Sequence, residues 1–267
     1  MNVVLVTGAS AGIGLATADR LASSGWAVVG ASRRGTGREP AWSGLTMDVD
    51  DDESVAGGVR TVLERHGRLD ALVAGAGWGL AGPVEHTPIT DARAQLETNF
   101  FGCVRLVKAA LPAMRAAGGG RIVLVSSLGG VVGLPFQAFY SASKFALEGY
   151  GEALAYEVAP FGVDVILVQP GNIATDFTKS RRDVVAPDGE VDPYAESVRA
   201  AIGKMAADEA NGAPPALVAA AIERVLTARR PPRRVTVGKL DERVGTFAKR
   251  LLPYRVFEKA ARSSLGV

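Results

Sequence analysis

Short runs of β-branched and aliphatic residues alternate along the chain with longer segments in which apolar residues recur every three or four positions. The runs at 3–7, 27–31, 44–48, 70–74, 121–126, 163–168 and 234–237 predict seven strands of one twisted sheet. Helical spacing predicts helices over 12–24, 51–66, 91–116 and 138–160, with further helical stretches near 194–208 and 214–228. Such alternation is the pattern of helices crossing over both faces of a parallel sheet. Gly25, Gly67, Gly118 to Gly120 and Gly162 close the first four helices. Residues 175–193 break the rhythm with polar and turn-forming residues, including Asp188-Gly189 and Pro193. Placed after the sixth strand, this stretch is expected to be a mobile substrate lid extending over about 175–215, the alternative being a plain surface insertion.

At 267 residues the chain is long enough for one large α/β domain, expected over 1–239, followed by a basic helical extension over 240–267. No apolar run approaches the ~20 residues that span a bilayer. The N-terminus enters a strand without a basic leader, so a cytoplasmic location is expected. A single cysteine, Cys103, excludes an internal disulfide, and it shares no metal-ligand spacing with the only histidines, His66 and His86, so no metal site is expected. The net charge of +2 hides an asymmetry: the tail from 229 onward is strongly basic and the remainder acidic.

Residues 7–14 read TGASAGIG between the first strand and the first helix. Glycine permits a tight turn and close approach to a pyrophosphate, and the helix N-terminus offers unpaired N–H groups to its charge. Gly8, Gly12 and Gly14 are thus candidate dinucleotide contacts, although such a turn can also be a bare connection. The second strand ends Ala31-Ser32-Arg33-Arg34, with no carboxylate to grip a ribose 2′-hydroxyl. Arginines there suit a 2′-phosphate and favour NADP(H) over NAD(H), unless Arg33 and Arg34 form only a solvated loop.

Tyr140 and Lys144 lie four apart in a predicted helix, so they share a face. An ammonium beside a phenol favours the phenolate and lowers its pKa, and Ser127, at the end of the fifth strand, can hold a substrate oxygen beside the Tyr140 hydroxyl. Taken singly, each residue also has a plain structural explanation: a packed aromatic, a solvated charge and a loop cap.

Taken together, these residues resemble the short-chain dehydrogenase/reductase family over roughly residues 2–176, and the resemblance implies a Rossmann-type doubly wound α/β fold with a mostly parallel seven-stranded sheet and helices on both faces. TGASAGIG is similar to the family's cofactor turn, which adds Ser10 and Ile13 to the candidate contacts. Asp48-Val49 resembles the pair that meets the adenine, and Asn99, Ser127, Tyr140 and Lys144 resemble the catalytic four. Pro170-Gly171-Asn172-Ile173-Ala174-Thr175 resembles the segment beside the nicotinamide, through Pro170, Gly171, Ile173 and Thr175. The implied roles are Tyr140 as acid or base, Ser127 positioning the oxygen, Lys144 lowering the tyrosine pKa and binding ribose, and Asn99 holding a water behind Lys144. The family's Asn-Asn-Ala-Gly is here Ala74-Gly75-Ala76-Gly77, so those backbone groups are either satisfied differently or leave a looser site, while Ala74, Gly75 and Ala76 still border the cofactor. Residues 134–162 resemble the branch acting on steroids and retinoids, and Leu80, Val84, Val132, Leu134, Phe136 and Phe177 are candidates for an apolar pocket or for core.

The expected activity is hydride transfer between NADP(H) and a secondary alcohol or carbonyl compound, with a catalytically weak NADP(H)-binding sensor or an interaction protein as alternatives. The resemblance also implies a homodimer or homotetramer built on the 91–116 and 138–160 helices. In the tail, Val244, Phe247, Ala248 and Leu251, then Val256, Phe257, Ala260 and Ala261, recur at helical spacing on either side of Pro253. These pieces either pack on the protein or a second subunit, or touch an anionic membrane surface. No nucleic-acid motif accompanies the charge, so no nucleic-acid partner is expected.

Overall fold

In the computed structural model, which describes residues 1–35, 37–184 and 192–265, the chain runs β1 (Val3–Thr7), α1 (Gly12–Ser23), β2 (Ala27–Ser32), β3 (Ser43–Thr46), α2 (Asp52–His66), β4 (Ala71–Ala74), β5 (Leu80–Ala81), α3 (Ile89–Leu96), α4 (Gly102–Ala116), β6 (Gly120–Val125), α5 (Ala138–Val158), β7 (Val163–Pro170), α6 (Phe177–Ser180), β8 (Arg182–Asp183), α7 (Ala195–Ala210), α8 (Pro215–Thr227), β9 (Arg234–Val237), α9 (Leu240–Leu251) and α10 (Tyr254–Leu265). Seven strands form one parallel sheet in the order β3-β2-β1-β4-β6-β7-β9. These are the seven strands expected from the sequence. The two-residue pair β5–β8 was not, because two residues carry no periodicity.

The sheet is buried on both faces because its strands alternate between two apolar clusters. Val3 and Leu5 of β1, Ile122 and Leu124 of β6, and Val165 and Leu167 of β7 point to one side, where α2, α4 and α5 supply Val59, Leu106, Val107 and Leu147. Val4 and Val6, Val123 and Val125, and Ile166 and Val168 point to the other, where α1 and α8 supply Leu21, Val218 and Ile222. The strand order reverses between β1 and β4, which opens a crevice at the carboxyl ends of the strands.

The helix expected over 91–116 is α3 and α4 joined through a π-helical turn, Glu97–Phe101, that contains Asn99. Within the stretch expected to be a lid, residues 177–180 and 195–210 are helical; Asp188 and Gly189 lie outside the described residues. Beyond β9 the tail forms α9 and α10, on either side of Pro253. Among the described residues no helix is long and apolar enough to cross a membrane.

Candidate active site

A cleft of about 1790 Å³ runs along the carboxyl ends of the strands. Gly8, Ser10, Gly12, Ile13 and Gly14 line one end. Gly8 and Gly12 both hold positive φ, +73° and +54°, which disfavours any side chain there. A Cβ on Gly8 would lie 2.9 Å from the Gly75 carbonyl oxygen, and one on Gly14 would collide with the Gly8 carbonyl. The turn therefore closes on itself and against the end of β4. It feeds α1 from Ala11, which makes no side-chain cap, so the first amides of the helix remain available to an anion. By contrast α2 is capped by Asp51, whose Oδ1 accepts from Ser54 N at 2.6 Å.

At the β2 end, Ser32, Arg33 and Arg34 line the cleft, both arginines are exposed, and the buried Ser32 Oγ has no hydrogen-bond partner. Asp48 and Val49 line the opposing wall, with Asp48 Oδ1 also accepting from Asp50 N at 3.1 Å. Uncapped amides, free guanidinium groups and an unsatisfied hydroxyl are the donors that a phosphorylated dinucleotide needs. Gly75 and Ala76 also line the cleft, whereas Ala74 is sealed within β4. The amides missing after β4 are replaced by Thr7: its Oγ1 accepts from Gly75 N at 3.1 Å and Ala76 N at 3.3 Å, and donates to the Val73 carbonyl at 3.4 Å. The sequence contained this signal, since Thr7 opens the glycine-rich turn, but only the glycines carried the expectation.

Tyr140, Lys144 and Ser127 converge at the centre of the cleft. Ser127 begins a tight turn in which its Oγ accepts from Gly129 N at 3.0 Å, and its side chain neighbours the Tyr140 phenol. Gly129 makes that meeting feasible, because a Cβ there would sit 3.1 Å from the Tyr140 ring. Burial pushes the Tyr140 phenol up to about 12, with the neighbouring Ser127 acting the other way and the Glu209 carboxylate adding to the rise. Lys144 Nζ donates to the Val125 carbonyl at 2.9 Å and stands 5.9 Å from the Tyr140 ring centroid. Burial holds its pKa below the ordinary lysine value. The expected lowering of the phenol by this ammonium does not appear in the protein itself, where desolvation dominates. Asn99 is fully buried behind the cleft, not on its wall: Oδ1 accepts from Trp78 N at 3.0 Å, while Nδ2 donates to the Trp78 carbonyl at 3.0 Å and to Ser143 Oγ at 3.2 Å.

Of the apolar candidates, Val132, Leu134 and Phe177 line the cleft, and Phe177 packs on Tyr140 with centroids 5.8 Å apart. Leu80 is sealed in β5, Val84 is exposed where the chain turns away after β5, and Phe136 is not on the wall. The helix α7 adds Lys204, Met205, Asp208 and Glu209, which the sequence did not single out. Glu209 accepts from the Thr178 hydroxyl and lies 3.5 Å from Arg181. Pro170, Gly171, Ile173 and Thr175 line the far wall. Beside them Glu242 of α9, also on the cleft wall, accepts from Asn172 N at 3.1 Å, Asn172 Nδ2 at 2.7 Å and Lys239 N at 2.9 Å. A glutamate three residues after a helix boundary is a capping signal; that it also reaches Asn172 required the fold.

The family model for short chain dehydrogenases matches residues 2–185. The 3-ketodihydrosphingosine reductase of Bacteroides thetaiotaomicron is 40% identical over 261 residues, covering 98% of this chain and 97% of that protein. Human 17-beta-hydroxysteroid dehydrogenase type 1 is 41% identical over 192 residues, 66% of this chain and 58% of that one. A short-chain dehydrogenase structure from Streptomyces avermitilis superposes with a TM-score of 0.82 at 34% identity, covering 98% of this chain and 97% of that one. Sheet order, cleft and family match agree, and the chain belongs to the short-chain dehydrogenase/reductase family of oxidoreductases.

Proposed function

We propose that this protein reduces a lipophilic ketone, reversibly, with NADP(H). The observation that carries the proposal is the convergence of Ser127, Tyr140 and Lys144 in one cleft that continues to the uncapped start of α1. The cofactor, when bound, supplies the hydride. Tyr140, held neutral by burial across the ordinary pH range, donates a proton to the carbonyl oxygen during reduction, and Ser127 orients that oxygen. Lys144 stands beside Tyr140 to bind the ribose, and Asn99 fixes the Trp78 loop behind it. Gly8, Ser10, Gly12, Ile13 and Gly14 hold the pyrophosphate, and Asp48 and Val49 meet the adenine. Gly75 and Ala76 support the cofactor beyond the end of β4, Ala74 lying beneath them within the sheet, and Pro170, Gly171, Ile173 and Thr175 border the nicotinamide. Arg33 and Arg34, with Ser32, take the 2′-phosphate.

Val132, Leu134, Phe177 and Met205 give the substrate end an apolar lining. The likeness to the Bacteroides protein extends through the tail, so 3-ketodihydrosphingosine is the first substrate to test. Subunits pair through α4 and α5, near which Phe101, Phe145 and Tyr156 are exposed.

The test compares wild type with Tyr140→Phe and Arg33→Asp. Tyr140→Phe should retain NADPH binding while carbonyl reduction falls by at least ~100-fold; unchanged reduction removes Tyr140 from the mechanism. Arg33→Asp should cut the ratio of NADPH to NADH affinity by on the order of tenfold; an unchanged ratio removes the phosphate contact.

A further inference from the structure

Seven of the fifteen large apolar side chains exposed among the described residues fall between 240 and 256, which makes the tail the greasiest part of the surface. On α9, Leu240, Val244, Phe247 and Leu251 recur at i, i+4, i+7 and i+11 and form one straight stripe. They are 73, 57, 61 and 68% exposed, so the stripe is not packed on its own domain. The helix is nevertheless fixed in place. Gly245 and Ala248 line the cleft, Lys249 donates to the Val131 carbonyl and lies 5.0 Å from the Phe145 ring centroid, and Glu242 holds Asn172. The next helix presents a second stripe of different chemistry: Arg255, Lys259 and Arg262 at i, i+4 and i+7, all exposed, while Phe257 and Ala260 line the cleft.

We propose that α9 and α10 form a docking surface for an anionic lipid bilayer. The apolar stripe of α9 enters the boundary between headgroups and acyl chains, and the cations of α10 engage the anionic headgroups. Charge selects this occupant over a second copy of the chain. Residues 240–265, which make up the two helices, hold six Lys or Arg against three Asp or Glu, so a pairing of two tails would bring like charge onto like charge. Because the same two helices wall the cleft, docking sets its rim at the membrane. If the substrate is lipophilic as proposed above, it can enter from the bilayer; the docking itself does not depend on which ketone is reduced.

The full chain is floated with vesicles of neutral phosphatidylcholine alone or with 30 mol% phosphatidylglycerol at about 100 mM salt. Wild type should partition onto the anionic vesicles and be released as salt rises. Val244→Ser/Phe247→Ser/Leu251→Ser should lower the partition coefficient by at least ~10-fold, and Arg255→Gln/Lys259→Gln/Arg262→Gln by about fivefold per cation removed. Reduction of a water-soluble ketone and the thermal melt, measured in parallel, should match wild type in both variants, which separates loss of docking from loss of fold or of chemistry. The proposal is overturned if wild type stays with the solution phase, or if the apolar variant floats as wild type does. It is equally overturned if sedimentation shows a dimer that the apolar variant splits while no vesicles are bound, which would give the stripe to a second subunit.

Discussion

Thr7 braces the centre of the sheet through one oxygen that takes two amide protons and returns its own to Val73. Thr7→Val preserves shape and deletes that oxygen, leaving the Gly75 and Ala76 N–H groups short of a partner beside the cleft. The expected cost is about 1–3 kcal/mol in urea unfolding, and an unchanged midpoint would show that these groups are satisfied elsewhere. Lys144 illustrates the opposite balance, a buried charge that costs stability. Its ammonium is buried, with one backbone carbonyl as partner, and burial lowers its pKa. Below that lowered value the folded state bears the full desolvation penalty; as pH climbs from there toward the unfolded value of 10.5, the native protein releases the proton first and the penalty fades. Lys144→Met should accordingly melt above wild type at pH 7 and lose carbonyl reduction, with the difference in Tm narrowing in alkali. A variant that melts below wild type at pH 7 would contradict this account.

At the scale of elements, the decisive join is between the loop after β7 and the tail. Glu242 sits in the first turn of α9, where a carboxylate suits the helix dipole, and its two oxygens receive Lys239 N and both nitrogens of Asn172. Gly171 and Gly238 flank it closely enough that a Cβ on either would strike the carboxylate. Glu242→Ala should release both partners together: amides of residues 240–251 should exchange at least ~10-fold faster in hydrogen-exchange mass spectrometry, and NADPH affinity should fall as the Pro170-Gly171-Asn172 segment loosens. Exchange confined to wild-type rates would mean that Lys249 and the cleft-facing alanines hold the tail unaided. The π-helical turn between α3 and α4 has a similar consequence, since the extra residue in that turn rotates Asn99 toward Trp78 and Ser143.

For the molecule as a whole, the sheet is both the core and the floor of the cleft, so folding and ligand binding rest on the same strands. Leu72 in β4 is fully buried among α2, α4 and α5 side chains. Leu72→Ala should cost about 2–5 kcal/mol, and because the cleft is made of strand ends, loss of NADPH binding should follow loss of far-UV circular dichroism at the same urea concentration. Separated transitions would show that the cofactor end of the cleft unfolds on its own.

Read alone, the chain determined its strands, most of its helices, the glycine-rich turn and the Ser127, Tyr140 and Lys144 set. These depend on local spacing: a doubly buried strand must be apolar throughout, a turn at positive φ favours glycine, and residues four apart on a helix share a face. Tertiary structure alone decided the remainder. Thr7 as a brace, Glu209 near Tyr140, Glu242 on Asn172, Val84 facing solvent and the exposed stripe of α9 all follow from elements distant in sequence meeting or failing to meet. A helical repeat of apolar residues has the same spacing whether its face is covered or bare, and only the packing around α9 distinguishes the two.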